Sequence, residues 1–134
     1  RKLAGISSDS SSSDTDLFAV ISDAYYDIDS ISEQDMSRIC AWLQQYQQQI
    51  SQENIGDTAR KKVMNAVNPK YVLRNYLAQL AIDEAEKGDF ELINTLLELF
   101  RKPYDEQEHM EEFAAKRPDW AKNRPGCSML SCSS

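Results

Sequence analysis

Apolar positions recur at helical spacing in one stretch after another of this chain, and no run alternates with the period of two that marks a strand. The sharpest pattern lies between Asn68 and Gln107. Asn68 reads as an N-cap, with Pro69 at the first helical position, where a missing N–H costs nothing. Val72, Leu73, Tyr76, Leu77, Leu80 and Ala81 then form one wide apolar stripe. Gly88 reads as the left-handed residue that ends this helix, and Asp89 as the cap of the next, with Glu91 in its first turn. In that second helix Glu91, Asn94, Thr95, Glu98, Arg101 and Lys102 share one face. Phe90, Leu92, Ile93, Leu96, Leu97, Leu99 and Phe100 fill the rest, and Pro103 prevents continuation. The pattern predicts a helical hairpin over 69–102 whose second helix is buried over most of its girth.

Upstream, Asp14, Thr15 and Asp16 offer N-caps for a helix carrying Leu17, Phe18, Val20, Ile21 and Tyr25, which fades at the turn 27–30. Ser32 with Asp35 approximates a capping box for a second helix. Met36, Ile39, Cys40, Leu43, Tyr46 and Ile50 line that helix, and the tract Gln44–Gln49 reads as its wet face. Asp57 caps a short third helix with Ala59, Val63, Met64 and Val67, and the residue before Pro69 ends it. The expectation is an all-α fold, a small helical bundle of about four main helices. It places a Ser/Asp-rich linker at 1–14, a helical domain at 15–103, and an irregular arm with a mobile tail at 104–134. Arg1–Ile6 reads as a frayed end, and a chain that opens without Met reads as an excised fragment.

Charge and length narrow the function classes. With Lys+Arg 15 against Asp+Glu 22, the net charge of −7 argues against nucleic acid as a partner. No apolar run approaches the ~20 residues of a membrane span, and no apolar signal-peptide core follows Arg1–Gly5. Three cysteines do not make a disulfide framework and suit a reducing compartment.

The run NPKYVLRNYLAQLAI, then EKGDF, then LLELFRKPYDEQ, resembles the C-terminal region of the selenoprotein O family, from about Asn65 to Phe113. The closing Ser131-Cys132-Ser133-Ser134 is similar to that family's end, where some members carry selenocysteine at the cysteine position. The resemblance implies a parent with a protein-kinase-like fold that transfers AMP from ATP, with Mg, to Ser, Thr or Tyr hydroxyls of proteins. It makes the kinase-like catalytic domain and protein substrates the expected partners. It implies a cytoplasmic setting in a bacterium, or a mitochondrial one in a eukaryote. This chain would be the structural and regulatory helical region; the alternative is a stand-alone helical protein-interaction module.

The chemistry itself is missing from these residues. A kinase-like site needs a glycine loop over the phosphates, a lysine–glutamate pair and metal-binding acids. The four glycines here are isolated, and Glu91 stands where Asp89-Phe90 would need glycine. His109 sits among glutamates with no second soft ligand, so a solvated side chain is expected. The chain alone is therefore expected to be inactive, with no catalytic residue and no metal of its own. Arg60, Lys61 and Lys62 read as a solvated helix face. Arg74 and Asn75, inside the run that carries the resemblance, are the candidates for contact with the missing domain, since a guanidinium fork suits carbonyls or a carboxylate. Cys40 on its apolar stripe reads as inert packing. Cys127 and Cys132 in the tail are the redox candidates, with Cys132 favoured by the match to the selenocysteine position.

Overall fold

The computed structural model describes residues 1–8 and 12–127. Every regular element among them is helical, so the fold is all-α, as the periodicity predicts. The chain divides into two compact units, Arg1–Asn68 and Pro69–Ser134. The division falls inside the 15–103 segment that the pattern treats as one domain.

In the first unit α1 spans Asp14–Ile21, α2 Glu33–Ser51 and α3 Asp57–Val67. The cap of α1 is Ser13, one residue before the expected ones. Its hydroxyl accepts the Asp16 N–H at 3.2 Å, and its own N–H donates to the Asp16 carboxylate at 3.2 Å. Ser32 caps α2 by accepting the Asp35 N–H at 3.1 Å. The α2 stripe is where the spacing puts it: Leu43 and Ile50 are buried with Leu17 of α1, and Ile39 and Tyr46 pack against them.

Three expectations fail in this unit, two of them because a polar side chain is buried. The opening residues are not frayed: Ala4 and Ile6 are buried, and Leu3–Gly5 makes a turn of 3-10 helix. Gln47 is not on a wet face. It is buried, and its amide donates to the Ser7 carbonyl at 3.1 Å. In α3, capped by Gly56, the apolar Val63 and Val67 are exposed while Arg60 is 4% exposed. The solvated reading of Arg60 is corrected: its Nη2 donates to the Ile6 carbonyl at 2.6 Å, and Nη1 pairs with Asp57 Oδ1 at 2.9 Å. Lys61 and Lys62 are exposed, as expected.

In the second unit α4 spans Asn75–Ala85 and α5 Glu91–Arg101. The stop between them follows the pattern. Gly88 has φ 89°, Asp89 N–H donates to Glu84 O at 3.0 Å and Gly88 N–H to Ala85 O at 2.9 Å. This pair of bonds is the Schellman closure, which satisfies the last carbonyls of α4. Asp89 acts one residue earlier than a formal cap, accepting the Glu91 N–H at 2.9 Å. The start of α4 departs from expectation. Asn68 closes α3, with its side chain donating to Met64 O at 2.7 Å, and does not open α4. Residues 69–74 are not helical, so Val72 and Leu73 lie outside α4 and are exposed.

The hairpin core joins Tyr76, Leu77 and Ala81 of α4 with Leu96 and Leu99 of α5. The buried stripe of α5 is narrower than predicted. Leu97 is 57% exposed and Phe90, two turns before it on the same flank, is exposed too. The arm after α5 is irregular but packed: Phe113 and Met110 lie against the core, and Ala121 and Cys127 are part of it.

Leu77→Ala and Leu96→Ala should each destabilise the second unit by roughly 2–5 kcal/mol, the usual cost of a truncated buried leucine. Leu97→Ala should change it by no more than about 0.5 kcal/mol, since both residues are good helix formers and the site is exposed. Urea melts of the three variants check the faces. Equal losses at Leu96 and Leu97 would mean that α5 is rotated from the orientation described.

Candidate functional site

The non-helical segment 69–74 is built by hydrogen bonds to the end of α5. The N–H groups of Lys70 and Tyr71 both donate to the Pro103 carbonyl, at 2.7 and 3.1 Å. Tyr71 is 1% exposed, with its hydroxyl donating to the Gln107 carbonyl at 3.2 Å. Gln107 in turn donates its amide to Leu99 O at 3.0 Å and Lys102 O at 2.9 Å, adding to the backbone bonds that these carbonyls accept from Lys102 and Asp105 at the end of α5. Lys70 Nζ lies 2.5 Å from Glu106 and 5.3 Å from the Tyr71 ring centroid. The bond to Glu106, more than any other contact, holds the Lys70 ammonium above its ordinary pKa.

The NPKYVLRN and RKPYDEQ runs therefore meet in space, and their polar groups are taken up by each other. Arg74 donates through Nη1 to the Ala115 carbonyl of the arm. The fork binds a carbonyl, as its chemistry suggests, but the carbonyl belongs to this unit. Asn75 is exposed at the first position of α4. The segment thus presents Val72, Leu73 and Asn75 outward between a buried anchor at Tyr71 and a tethered Arg74.

The cysteines separate. Cys40 is buried on α2, where its place on the apolar stripe puts it, and burial first, then the neighbouring Asp14 charge, pushes its thiol pKa up. Cys127 was expected in an accessible tail and is 4% exposed. Its burial follows from a glycine turn at Gly126, φ 80°, that brings the chain against Gln79. Cys132 lies outside the described residues. His109 is exposed, with a left-handed φ of 65°. Among the described residues no three His, Cys, Asp or Glu side chains converge as metal ligands, and no helix is long and apolar enough to cross a membrane. A shallow groove of about 700 Å³ runs between α1 and α2, floored by Phe18, Met36 and Cys40 and flanked by Asp14 and Glu33. None of the sequence-predicted site residues lines it.

Two polar clusters escaped the sequence reading. In the first unit Asp57 accepts the Ser8 N–H at 3.1 and 3.2 Å besides pairing with Arg60. The Ser8 bonds hold its carboxyl below the usual range; burial opposes them, and Arg60 adds a further lowering. In the second, Asp83 accepts from Gln79 at 3.0 Å and from Arg124 at 2.6 Å, and these two bonds depress its pKa, Gln79 first. The only advance signal for either was opposite charge at helical or long-range separation, which is too common to single out a pair.

A family model described as protein adenylyltransferase SelO matches residues 2–101. Among the relatives is the protein nucleotidyltransferase YdiU of Rhodopirellula baltica, 52% identical over 117 residues, which are 85% of this chain and 22% of that protein. The protein of the same name from Xanthomonas campestris pv. campestris is 52% identical over 116 residues, 87% of this chain and 22% of the relative. That from Aromatoleum aromaticum is 53% identical over 114 residues, 84% and 21% respectively. The chain thus spans about a fifth of the length of the curated relatives it matches.

The Asp57 cluster sets an acid limit for the first unit. A carboxyl whose folded pKa lies below its unfolded value of about 3.9 stabilises the fold above that value and loses the contribution as pH falls through the folded pKa. The first unit should therefore hold its melting temperature from neutral pH to about pH 4 and lose it below. Asp57→Asn should flatten this acid limb. For Lys70 the sign reverses: its raised pKa stabilises the second unit at all lower pH and the benefit fades above about pH 10.5. Melts across pH on the wild type and on the Asp57→Asn variant measure both limbs. Arg60→Ala should destabilise by at least ~1–3 kcal/mol, the cost of stranding a buried acceptor, and Lys61→Ala by under about 0.5 kcal/mol.

Proposed function

Because the chain belongs to the protein adenylyltransferase SelO family, we propose that it is the C-terminal structural and regulatory helical region of such an enzyme. The parent would transfer AMP from ATP to Ser, Thr or Tyr hydroxyls of proteins, through a kinase-like catalytic domain outside these residues. ATP and Mg would be bound there. The bacterial origin of the relatives favours a cytoplasmic parent. Redox control through Cys132 belongs to the same reading, on the resemblance of the tail alone.

The observation that carries the docking role is the exposure of Val72 and Leu73, at 52% and 54%, in a segment that is otherwise pinned on both sides. Two adjacent apolar side chains held outward on a rigid loop are a contact patch ready for a complementary surface. Asn75 beside them can add a directed hydrogen bond. We assign this patch to the catalytic domain of the parent, with Arg74 acting indirectly by fixing the loop on the Ala115 carbonyl.

Two measurements test the reading. The isolated chain, incubated with labelled ATP, Mg and a generic protein acceptor, should transfer no label. Label that a point mutation in this chain abolishes would overturn the division of labour. In the full reading frame, Val72→Asp with Leu73→Asp should lower AMP transfer and loosen the helical region. The same pair should leave the melt of the isolated chain within about 1 kcal/mol, since surface changes are mild. Unchanged transfer and unchanged association would remove the docking role.

A further inference from the structure

Among the described residues the arm that follows α5 carries no α-helix, and side chains hold residues 120–127 in place. Asp83, on the last turns of α4, is the anchor, accepting from Gln79 and from Arg124 as described. The Arg124 guanidinium lies 5.7 Å from the Trp120 ring centroid, and Trp120 meets the buried Tyr76 edge-on at 6.2 Å. At Gly126 a Cβ would fall 2.3 Å from Gln79 Oε1, so the glutamine that braces Asp83 also packs on bare glycine backbone. Cys127 then turns into the core, its N–H donating to the Arg124 carbonyl at 3.1 Å.

This attachment is local and reached by water. The Asp83 and Arg124 side chains are partly exposed, and Trp120 is half exposed. The hairpin core of Leu77, Ala81, Leu96 and Leu99 is formed by α4 and α5 themselves. A segment held by one ion pair, one ring contact, one glycine turn and two small buried side chains, Ala121 and Cys127, opens at lower free energy than the helices it lies on. We propose that Trp120–Cys127 is a latch that opens while the hairpin stays folded, and that the Asp83–Arg124 pair sets how often it opens. Closed, it seals the Cys127 thiol and fixes on α4 the point from which the chain continues. Open, it frees both. The proposal is independent of AMP transfer.

Cys127 reports on the latch. The 134-residue chain is treated with iodoacetamide, whose iodide the thiolate displaces to give a thioether, and sites are read by peptide mass spectrometry across a urea series. Cys127 should react more slowly than in the urea-unfolded chain, with a rate nearly independent of urea below the unfolding transition, because a local opening exposes little surface. Arg124→Gln and Asp83→Asn should each raise that rate about tenfold or more, the loss of a hydrogen bond to a charged group. Neither should change Cys40, which lies in the other unit. A wild-type rate that rises with urea as steeply as the global transition would overturn the proposal, because opening would then be unfolding. So would two folded variants that leave the Cys127 rate unchanged.

Discussion

The carbonyl oxygen of Pro103 decides how the second unit begins. Pro103 stops α5, so its carbonyl lies outside the helix and is free to accept. It takes two N–H groups, from Lys70 and Tyr71, which uses both its lone pairs. The two bonds tether Lys70 and Tyr71 to the end of α5. The chain from Pro69 to Arg74 is non-helical, Tyr71 is buried in the core, and α4 begins at Asn75. The outward position of Val72 and Leu73 follows from the same two bonds.

The first unit solves the same problem with side chains. Its opening residues have little regular structure to satisfy their backbone, and buried backbone groups must be paired. Arg60 reaches the Ile6 carbonyl, Gln47 reaches that of Ser7, and Asp57 takes the Ser8 N–H. Arg60 Nε remains buried without a hydrogen-bond partner among the described residues. Seating Ile6 in the core and pairing three successive backbone groups offsets that cost. The guanidinium suits this role because its charge survives burial and its donors are fixed in a fork.

Periodicity made the helices legible and the seams illegible. The α2 stripe and the Gly88 stop could be read because each depends on neighbours within a few residues. Arg60 could not, since a basic triplet on a helix gives no sign of which member turns inward. The predicted start of α4 at Pro69 was locally sound, since Asn-Pro is a good opening; the tether of Lys70 and Tyr71 to Pro103, 33 and 32 residues away in sequence, is a contact that no local signal shows. Leu97 shows the limit of composition, because an apolar residue on the flank of a helix stays exposed when the packed neighbours lie on its other sides. The candidate site was legible in place but not in use. Arg74 reads as a contact to carbonyls or a carboxylate of the missing domain, whereas here its guanidinium donates to the Ala115 carbonyl of its own unit. Cys127 looked accessible because Pro, Gly and Ser around it signal a turn, while its burial depends on Gln79, which no local signal connects to it.

The residues that make the resemblance specific, Lys70 and Tyr71 at one end and Pro103, Glu106 and Gln107 at the other, contact each other. Each is constrained by a partner more than 30 residues away, so substitution at either end strands a buried or paired group at the other. Such coupled positions tolerate little change whether or not a reaction depends on them. Identity of about 52% over this region is therefore compatible with packing as its cause. The same constraint suits the docking role proposed for the patch. A surface loop that is fixed at both ends presents the same two apolar side chains in every molecule, and a docking partner pays little ordering entropy to meet them.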